Sequence, residues 1–152
     1  MATRNDQEMQ LDEQLCFSLY AASRAMTSAY RDRLSELGLT YTQYIVVLLL
    51  LEHHLLPMHE VGRRLHLDSA TLSPLLKRME SQGLVTRTRS VEDERVVLVQ
   101  LTPQGRSMRT ELGRLQVEVQ RCSGMTRGDL MELKDQLNEL TGNLRDSEPE
   151  HA

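Results

Sequence analysis

The alternation of apolar and polar positions between residues 57 and 101 predicts two short helices followed by a β-hairpin. Residues 57–65 and 69–83 carry apolar side chains at helical spacing, and a three-residue break separates the two segments. Residues 84–89 and 96–101 are rich in β-forming side chains and flank the charged loop 90–95. Two helices joined by so short a turn form a helix-turn-helix, and a hairpin directly after it forms a wing. This order of elements predicts a domain that binds DNA.

Longer helices are predicted on both sides of this block. Apolar residues at helical spacing predict one long helix over residues 11–34 and another through residues 44–51, which is apolar on nearly all sides and therefore central. After the hairpin, helices are predicted over residues 105–121 and 126–144. The matching N-cap patterns are Thr40 with Gln43, Thr102 with Pro103, and Thr126 with Asp129.

These elements predict a mostly α fold with a small β-hairpin wing. We expect a single domain over residues 1–152, with residues 40–104 as the winged helix-turn-helix DNA-binding core. Residues 10–36 and 105–145 carry leucine stripes that find no sufficient partner within one winged domain. They are therefore predicted to be dimerisation helices of a homodimer.

The exposed side chains of the second predicted short helix suit the major groove of DNA. Ser69, Thr71 and Ser73 are short hydrogen-bonding groups near its N terminus, and Lys77 and Arg78 follow one turn later. The alternative is a small α+β domain whose hairpin merely covers a core.

Pro74 lies inside this second helix, where it removes a backbone donor. Either Ser73 caps the regular helix and Pro74 takes its first position, or Asp68 caps the helix and Pro74 bends its first turns. We favour the second arrangement.

The charge distribution qualifies the prediction of DNA binding. The 152-residue chain has a net charge of −4, which by itself disfavours DNA. Residues 63–95, however, hold seven Lys/Arg and five Asp/Glu, a net charge of +2, and the remainder carries −6. DNA affinity is therefore expected to depend on salt and on dimeric contact.

No signal peptide is visible and the apolar run 45–51 is too short for a bilayer, so we expect a cytoplasmic protein without a membrane partner.

The helix-turn-helix, the Asp93-Glu94-Arg95 loop tip and the V-x-L-T-x-x-G segment from Val99 to Gly105 resemble the MarR family of dimeric winged-helix transcription regulators. The resemblance covers about residues 10–145. It implies an inverted-repeat operator, the second short helix in the major groove and Arg95 in the adjacent minor groove. A guanidinium suits a narrow, electronegative groove. The alternative is a local ion pair with Asp93 or Glu92, and the two roles are compatible. Arg87 and Asp93 are further candidates for the DNA-binding surface.

The two cysteines, Cys16 and Cys122, are either core residues or a redox pair, because a cytosolic protein gains little from a structural disulfide. Tyrosines favour the redox interpretation. Tyr20 lies one turn from Cys16 on the same helix face, whereas Tyr30 is about 21 Å away along a straight helix at 1.5 Å per residue. Tyr30 can therefore reach only the cysteine of a partner subunit, in an antiparallel crossing. Phenol donors, including Tyr41, would stabilise a thiolate and make it nucleophilic toward peroxides.

Cys16, Tyr30 and Tyr41, with the T-Y-x-Q-Y segment from Thr40 to Tyr44, resemble the OhrR branch of organic-hydroperoxide sensors. The resemblance implies that Cys16 reacts with an organic hydroperoxide while tyrosines of the partner subunit hold its thiolate. Cys122 matches the resolving cysteine of the two-cysteine subtype, which forms an intersubunit disulfide and releases the operator. If Cys122 were passive, the sulfenic acid of Cys16 would be capped by a small thiol or over-oxidised.

Two other functions stay open. One is a MarR-type repressor released by a small phenolic or carboxylate ligand, with Cys16 incidental. The other is a thiol peroxidase, although the chain lacks the βαβ pattern and the C-x-x-C of a thioredoxin-like site, so no enzyme is expected. No cofactor or metal site is expected either, because the sequence cluster His53, His54, His59 and His66 does not place three ligands on one face with a carboxylate.

Overall fold

The structure is a computed structural model and describes residues 10–147; the ends of the predicted 1–152 domain lie outside these residues. In chain order its elements are a short 3-10 turn (Leu11–Glu13), α1 (Leu15–Glu36), α2 (Tyr41–His53), β1 (Leu55–Pro57), α3 (Met58–Leu65), α4 (Ser69–Ser81), β2 (Val85–Arg89), β3 (Val97–Leu101), α5 (Pro103–Ser107), α6 (Arg109–Cys122) and α7 (Arg127–Asp146). This confirms the predicted fold class, mostly α with a small β wing. The chain divides into two compact units, one ending at Leu115 and the other beginning at Gln116.

The start of the long first helix differs from the prediction. Gln14 has an extended backbone, so the predicted helix over residues 11–34 is split into the 3-10 turn and α1. At the other end, Gly38 adopts a positive φ of 72°, and the Leu39 N–H donates to the Leu34 carbonyl at 2.8 Å. This left-handed glycine closes the helix and turns the chain into α2.

Helix α2 is the centre of the first unit, as its apolar composition predicted. Thr40 and Gln43 form the expected capping box, with the Gln43 N–H donating to Thr40 Oγ1 at 3.2 Å and the Thr40 N–H donating to Gln43 Oε1 at 2.9 Å. Its buried residues are Gln43, Tyr44, Val46, Val47, Leu49 and Leu50. Fully burying one valine or leucine side chain contributes about 1.5–3 kcal/mol to the stability of the fold, and four of these buried residues are valines or leucines. Helix α2 is therefore a major part of the hydrophobic core.

The helix-turn-helix consists of α3 and α4. Gly62 of α3 lies under the turn, where a Cβ would stand 2.8 Å from the Leu67 carbonyl oxygen, so the close approach of helix and turn requires a glycine here. Asp68 caps α4 and Pro74 lies inside the helix, which confirms the favoured placement of Pro74. Helix α4 ends on a second left-handed glycine, Gly83, with a φ of 73°.

The wing contains a strand that the sequence did not reveal. The three strands pair in the order β1-β3-β2, all antiparallel, with Arg87 opposite Val99 in the hairpin and Leu55 opposite Gln100 in the additional pair. Strand β1 is only three residues long and ends in Pro57. So short an apolar segment has no periodicity by which it could be recognised.

The helices after the wing follow the predicted caps. Thr102 Oγ1 accepts a hydrogen bond from the Gly105 N–H at 3.0 Å and donates one to the Gly83 carbonyl at 2.6 Å, which fastens the end of β3 to the end of α4. The predicted helix over residues 105–121 is divided at Met108 into α5 and α6. Thr126 and Asp129 form the capping box of α7, in which no residue is buried.

Candidate DNA-binding surface and redox site

Helix α4 separates its apolar and polar residues onto opposite faces. The apolar face is buried inside the first unit and consists of Leu72, Leu75, Leu76 and Met79. The opposite face exposes the five residues of this helix that were predicted to bind DNA, Ser69, Thr71, Ser73, Lys77 and Arg78. Among residues 10–147, neither cation of this face forms an ion pair. This face therefore offers short hydroxyls near its N terminus and two positive charges one turn later.

The N terminus of α4 is held by Asp68. The Thr71 N–H donates to Asp68 Oδ1 at 2.7 Å, and this backbone hydrogen bond holds the pKa of Asp68 below its ordinary value. The Thr71 side chain also forms a hydrogen bond with Asp68, although Thr71 is an exposed residue. The cap fixes the backbone at the beginning of α4.

Arg95 stands at the tip of the wing loop. Its side chain is 91% exposed, and its Nε donates to Asp93 Oδ1 at 3.1 Å. The Arg95 N–H donates to the same oxygen at 3.0 Å, and these hydrogen bonds lower the pKa of Asp93. The ion pair that the sequence suggested is therefore present, and the guanidinium that it anchors still faces solvent.

Arg87 has a different environment. Its guanidinium donates two hydrogen bonds to Glu80 Oε2, at 3.1 and 2.7 Å, and its side chain is only 24% exposed. Arg89 donates to the Glu94 carbonyl at 2.6 Å, within the wing. Arg87 and Arg89 are thus bound to neighbouring elements or loops of the chain, and Arg95 is far more exposed than Arg87.

Tyr30 and Tyr41 come together in a cluster that also contains Tyr44. The ring centroid of Tyr30 lies 5.6 Å from that of Tyr41 and 5.1 Å from that of Tyr44. Burial, followed by a hydrogen bond with Tyr44, raises the pKa of Tyr30, and burial raises the pKa of Tyr41. These phenols therefore remain protonated donors at physiological pH. Tyr44 was missed as a member, although its place one turn after Tyr41 on α2 was a signal for it.

A cavity of about 270 Å³ lies beside this tyrosine cluster. Its lining includes Tyr41, the apolar side chains of Leu34 and Leu39, and Arg31. No ion pair of Arg31 is found among residues 10–147. The cavity has room for a small organic group beside Tyr41.

Within one chain, Cys16 lies away from this tyrosine cluster. Cys16 is exposed at the beginning of α1, and Tyr30 lies fourteen residues further along the same helix, about 21 Å at 1.5 Å per residue. Tyr20 is 57% exposed, and its hydroxyl accepts a hydrogen bond from Arg24 Nη1 at 3.2 Å. Cys122 is exposed at the end of α6, in the second compact unit, and both cysteines are free thiols.

A network of side-chain amides was also missed in the sequence. Gln43 is 4% exposed, and its Nε2 donates to Gln82 Oε1 at 3.0 Å. Gln82 Nε2 in turn donates to the Gly38 carbonyl at 3.4 Å. The network joins the α1–α2 loop and the N terminus of α2 to the residue that ends α4.

The histidines are dispersed over the surface of α2 and α3. His53 Nε2 lies 2.9 Å from Arg64 Nη1, and His54 and His66 adopt positive φ angles at helix ends. Within residues 10–147, no group of three potential metal-ligating side chains is present.

In the same part of the chain no single helix is long and apolar enough to cross a membrane; α1 and α2, bent by 81°, reach that length only as a pair.

Comparison with known proteins identifies the family. Residues 28–112 match the family model described as transcriptional regulator SarA/Rot. The chain is 46% identical over 136 residues to the organic hydroperoxide resistance transcriptional regulator of Bacillus subtilis (strain 168), covering 90% of this chain and 92% of that protein.

Solved structures give the same result. Reduced AbfR bound to DNA, a Staphylococcus epidermidis protein, matches with a TM-score of 0.76 and 32% identity over 92% of this chain and 97% of the other. The disulfide form of AbfR matches with a TM-score of 0.64 and 34% identity over 90% and 96%. These relatives are transcriptional regulators rather than enzymes, and they confirm the predicted resemblance. The chain therefore belongs to the MarR/SarA-type family of winged-helix, DNA-binding transcriptional regulators.

Proposed function

We propose that this chain is a homodimeric repressor that releases an inverted-repeat operator when an organic hydroperoxide oxidises Cys16. The observation that carries the proposal is the arrangement along α1, with an exposed thiol at one end and a cluster of protonated phenols around Tyr30 at the other. The name of the Bacillus subtilis relative, an organic hydroperoxide resistance regulator, supports the choice of oxidant.

The proposed dimer rests on apolar side chains that the single chain leaves exposed. They lie on α1 and on α7: Leu15, Tyr20, Met26, Met131, Leu133, Leu137 and Leu144. A 20-residue amphipathic helix such as α7 normally buries its apolar face, yet none of its residues is buried here. A second copy of the chain supplies the missing partner for such faces.

An antiparallel crossing of two α1 helices would assemble the site. In such a crossing, the beginning of one α1 lies beside the end of the other, so Cys16 of each subunit meets the tyrosine cluster of its partner. The Tyr30 and Tyr41 hydroxyls would then donate to the thiolate, and the cavity beside Tyr41 would hold the organic group of the hydroperoxide. Arg31 on the wall of that cavity would favour a substrate that carries a negative charge.

The proposed chemistry has two steps. The Cys16 thiolate attacks the terminal oxygen of the hydroperoxide; the O–O bond breaks, the leaving alkoxide takes up a proton to become an alcohol, and Cys16 becomes a sulfenic acid. The Cys122 thiol of the partner subunit then displaces the hydroxyl as water and forms the intersubunit disulfide. A disulfide needs Cα atoms within about 7 Å. Drawing the helices of the two subunits to that distance would reorient the two α4 helices and release the DNA.

The decisive experiment titrates reduced protein, bound to a DNA duplex that it selected from a random pool, with cumene hydroperoxide. Wild type should dissociate, whereas Cys16→Ser should bind equally well and stay bound. Cys122→Ser is the matched control: it should be oxidised at Cys16 but form no covalent dimer on a non-reducing gel. Dissociation of Cys16→Ser by the hydroperoxide would refute the proposal. Release of this variant by a phenolic acid would instead establish the ligand-responsive repressor. Steady-state consumption of peroxide with dithiothreitol by a wild-type protein that stays bound to DNA during oxidation would establish a thiol peroxidase.

A further inference from the structure

The carboxylate of Glu80 and the side chain of Arg87 join two elements that must contact DNA together. Glu80 lies one residue before the end of α4, and Arg87 is the middle residue of β2. Besides the two guanidinium hydrogen bonds to Oε2, the backbone N–H of Arg87 donates to Glu80 Oε1 at 3.1 Å. One carboxylate thus receives three hydrogen bonds from a single residue, and these hydrogen bonds lower the pKa of Glu80.

The backbone hydrogen bond shows what the pair does to the wing. Strand β2 is at the edge of the sheet, and β3 is its strand neighbour. Because the Arg87 N–H donates to Glu80, it points away from β3 and toward the open edge. Glu80 therefore takes the place that a neighbouring strand would occupy, and it fixes the backbone of β2 as well as the side chain of Arg87.

Arg95 provides the contrast. Both arginines donate through Nε and an Nη atom to a carboxylate, but Arg95 pairs with Asp93 inside its own loop and remains 91% exposed. Arg87 pairs with a residue of another element, and its side chain is 24% exposed. The first arrangement leaves a cation available to DNA, whereas the second uses the cation to connect α4 with β2.

We propose that Glu80 and Arg87 are positioning residues for DNA binding: they fix the wing relative to α4, so that the exposed face of α4 and Arg95 engage one operator in register. In this role Arg87 acts through Glu80 and makes no contact with DNA. This revises the sequence-based expectation that Arg87 belongs to the DNA-binding surface. The inference depends on the DNA-binding fold and is independent of the peroxide chemistry.

Glu80→Gln gives the sharpest test, because a phosphate contact by Arg87 and a positioning role of the pair predict opposite changes in DNA affinity. If Arg87 contacted phosphate, this variant would remove a negative charge near DNA and free a guanidinium, so affinity would rise. If the pair positions the wing, affinity for the selected duplex should fall on the order of tenfold, the usual effect of losing a charged hydrogen bond. Affinity for a scrambled duplex of the same length and composition should stay unchanged.

Arg87→Lys separates the effect of the positive charge from the effect of the hydrogen-bond geometry. Lysine preserves the charge that a phosphate contact needs but cannot form the planar two-point contact with Glu80. We expect this variant to lose as much affinity as Glu80→Gln, and the double variant to lose no more than either single one. The dependence of affinity on salt should remain that of wild type. Arg95→Gln, in contrast, should lower the slope of log K against log[salt] by about 0.9 for each phosphate that the variant no longer neutralises.

Fluorescence anisotropy at several salt concentrations measures all of these quantities, and circular dichroism confirms that each variant is folded. Tighter binding by Glu80→Gln, wild-type affinity of Arg87→Lys, or a lowered salt slope for Arg87→Lys would each overturn the proposal. An equal loss of affinity for the selected and scrambled duplexes would overturn it as well. A pair that aligns the wing with α4 affects only binding in which both elements engage one specific site, so the scrambled duplex should not respond.

Discussion

The side-chain amide of Gln43 donates to the side-chain oxygen of Gln82 at 3.0 Å, across 39 residues of sequence. Gln43 belongs to the capping box of α2 and directly precedes Tyr44 in the sequence, and Gln82 ends α4. A buried amide thus connects α2, the helix that carries two of the clustered tyrosines, with α4, the helix proposed to contact DNA.

Gln43→Leu should destabilise the protein by about 1–3 kcal/mol, because it removes a capping interaction and leaves the Gln82 oxygen without its donor. The free energy of unfolding in urea measures the loss. Gln120→Leu, an exposed position on α6, is the matched control and should change stability by less than about 0.5 kcal/mol. Equal stability of the two variants would contradict the importance of the buried amide.

Tyr30→Phe should slow the oxidation of Cys16 about tenfold or more, since a hydrogen bond to a charged group contributes about 1.5–3 kcal/mol. Stopped-flow measurement of thiol loss with cumene hydroperoxide gives the second-order rate. Tyr20→Phe is the control with the smaller expected effect, because the Tyr20 hydroxyl is in contact with water and Arg24. The reverse order of the two effects would place the thiolate beside Tyr20 rather than beside the tyrosine cluster.

Ser73→Ala should change base preference within each half-site, because a hydroxyl on the exposed face of α4 is suited to base edges. We expect a loss of about 1–3 kcal/mol of discrimination at the contacted base pair. Ser81→Ala is the control on the same helix, since the Ser81 hydroxyl donates to the Lys77 carbonyl at 3.0 Å. Selection from a random pool followed by sequencing reports the preference, and identical profiles for both variants would exclude Ser73 from base contact.

Leu137→Glu in α7 should yield monomers, because it places a charge on the apolar face proposed to pack against a second copy. Analytical ultracentrifugation determines the mass, and DNA affinity should fall with the loss of the second half-site. Asn138→Glu adds the same charge at a neighbouring exposed position and should remain dimeric. A dimeric Leu137→Glu protein would show that the interface lies elsewhere.

Glu60 predicts an acid-dependent contribution to stability. Hydrogen bonds from Arg63 and Arg64 lower the pKa of Glu60 to about 2 from its ordinary value of 4.5. Since the pKa is depressed in the folded state, the stabilisation is present above about pH 4.5 and is lost as the pH falls toward 2. Glu60→Gln should therefore melt below wild type at pH 7, with the difference shrinking below pH 4.5. A difference that is constant with pH would contradict this.

Local signals in the sequence predicted the parts of the structure that short-range chemistry determines. The caps at Thr40, Asp68, Thr102 and Thr126 were all predicted correctly, because a side-chain oxygen and an amide three residues later suffice to define them. The division of α4 into a buried and an exposed face was also predictable, because the helical spacing of its apolar residues is a local property of the sequence.

Features that depend on distant residues were not predictable. Strand β1 exists because Leu55 pairs with Gln100, and nothing within its three residues announces that partner. Likewise, Arg87 looks like a DNA contact in sequence, and only the fold shows that Glu80 holds it. The breaks at Gln14 and Met108 interrupt apolar patterns that continue at helical spacing across both residues.

The placement of Cys16 and Tyr30 fourteen residues apart on one helix has a genetic consequence. In the proposed antiparallel pair, every sensing site draws its thiol from one subunit and its phenols from the other. A mixed dimer of a Cys16 variant and a Tyr30 variant would keep one intact site, because the thiol of the Tyr30 variant meets the phenols of the Cys16 variant. Two alleles that each fail alone would therefore restore sensing when expressed together, which sites built within single chains could not do.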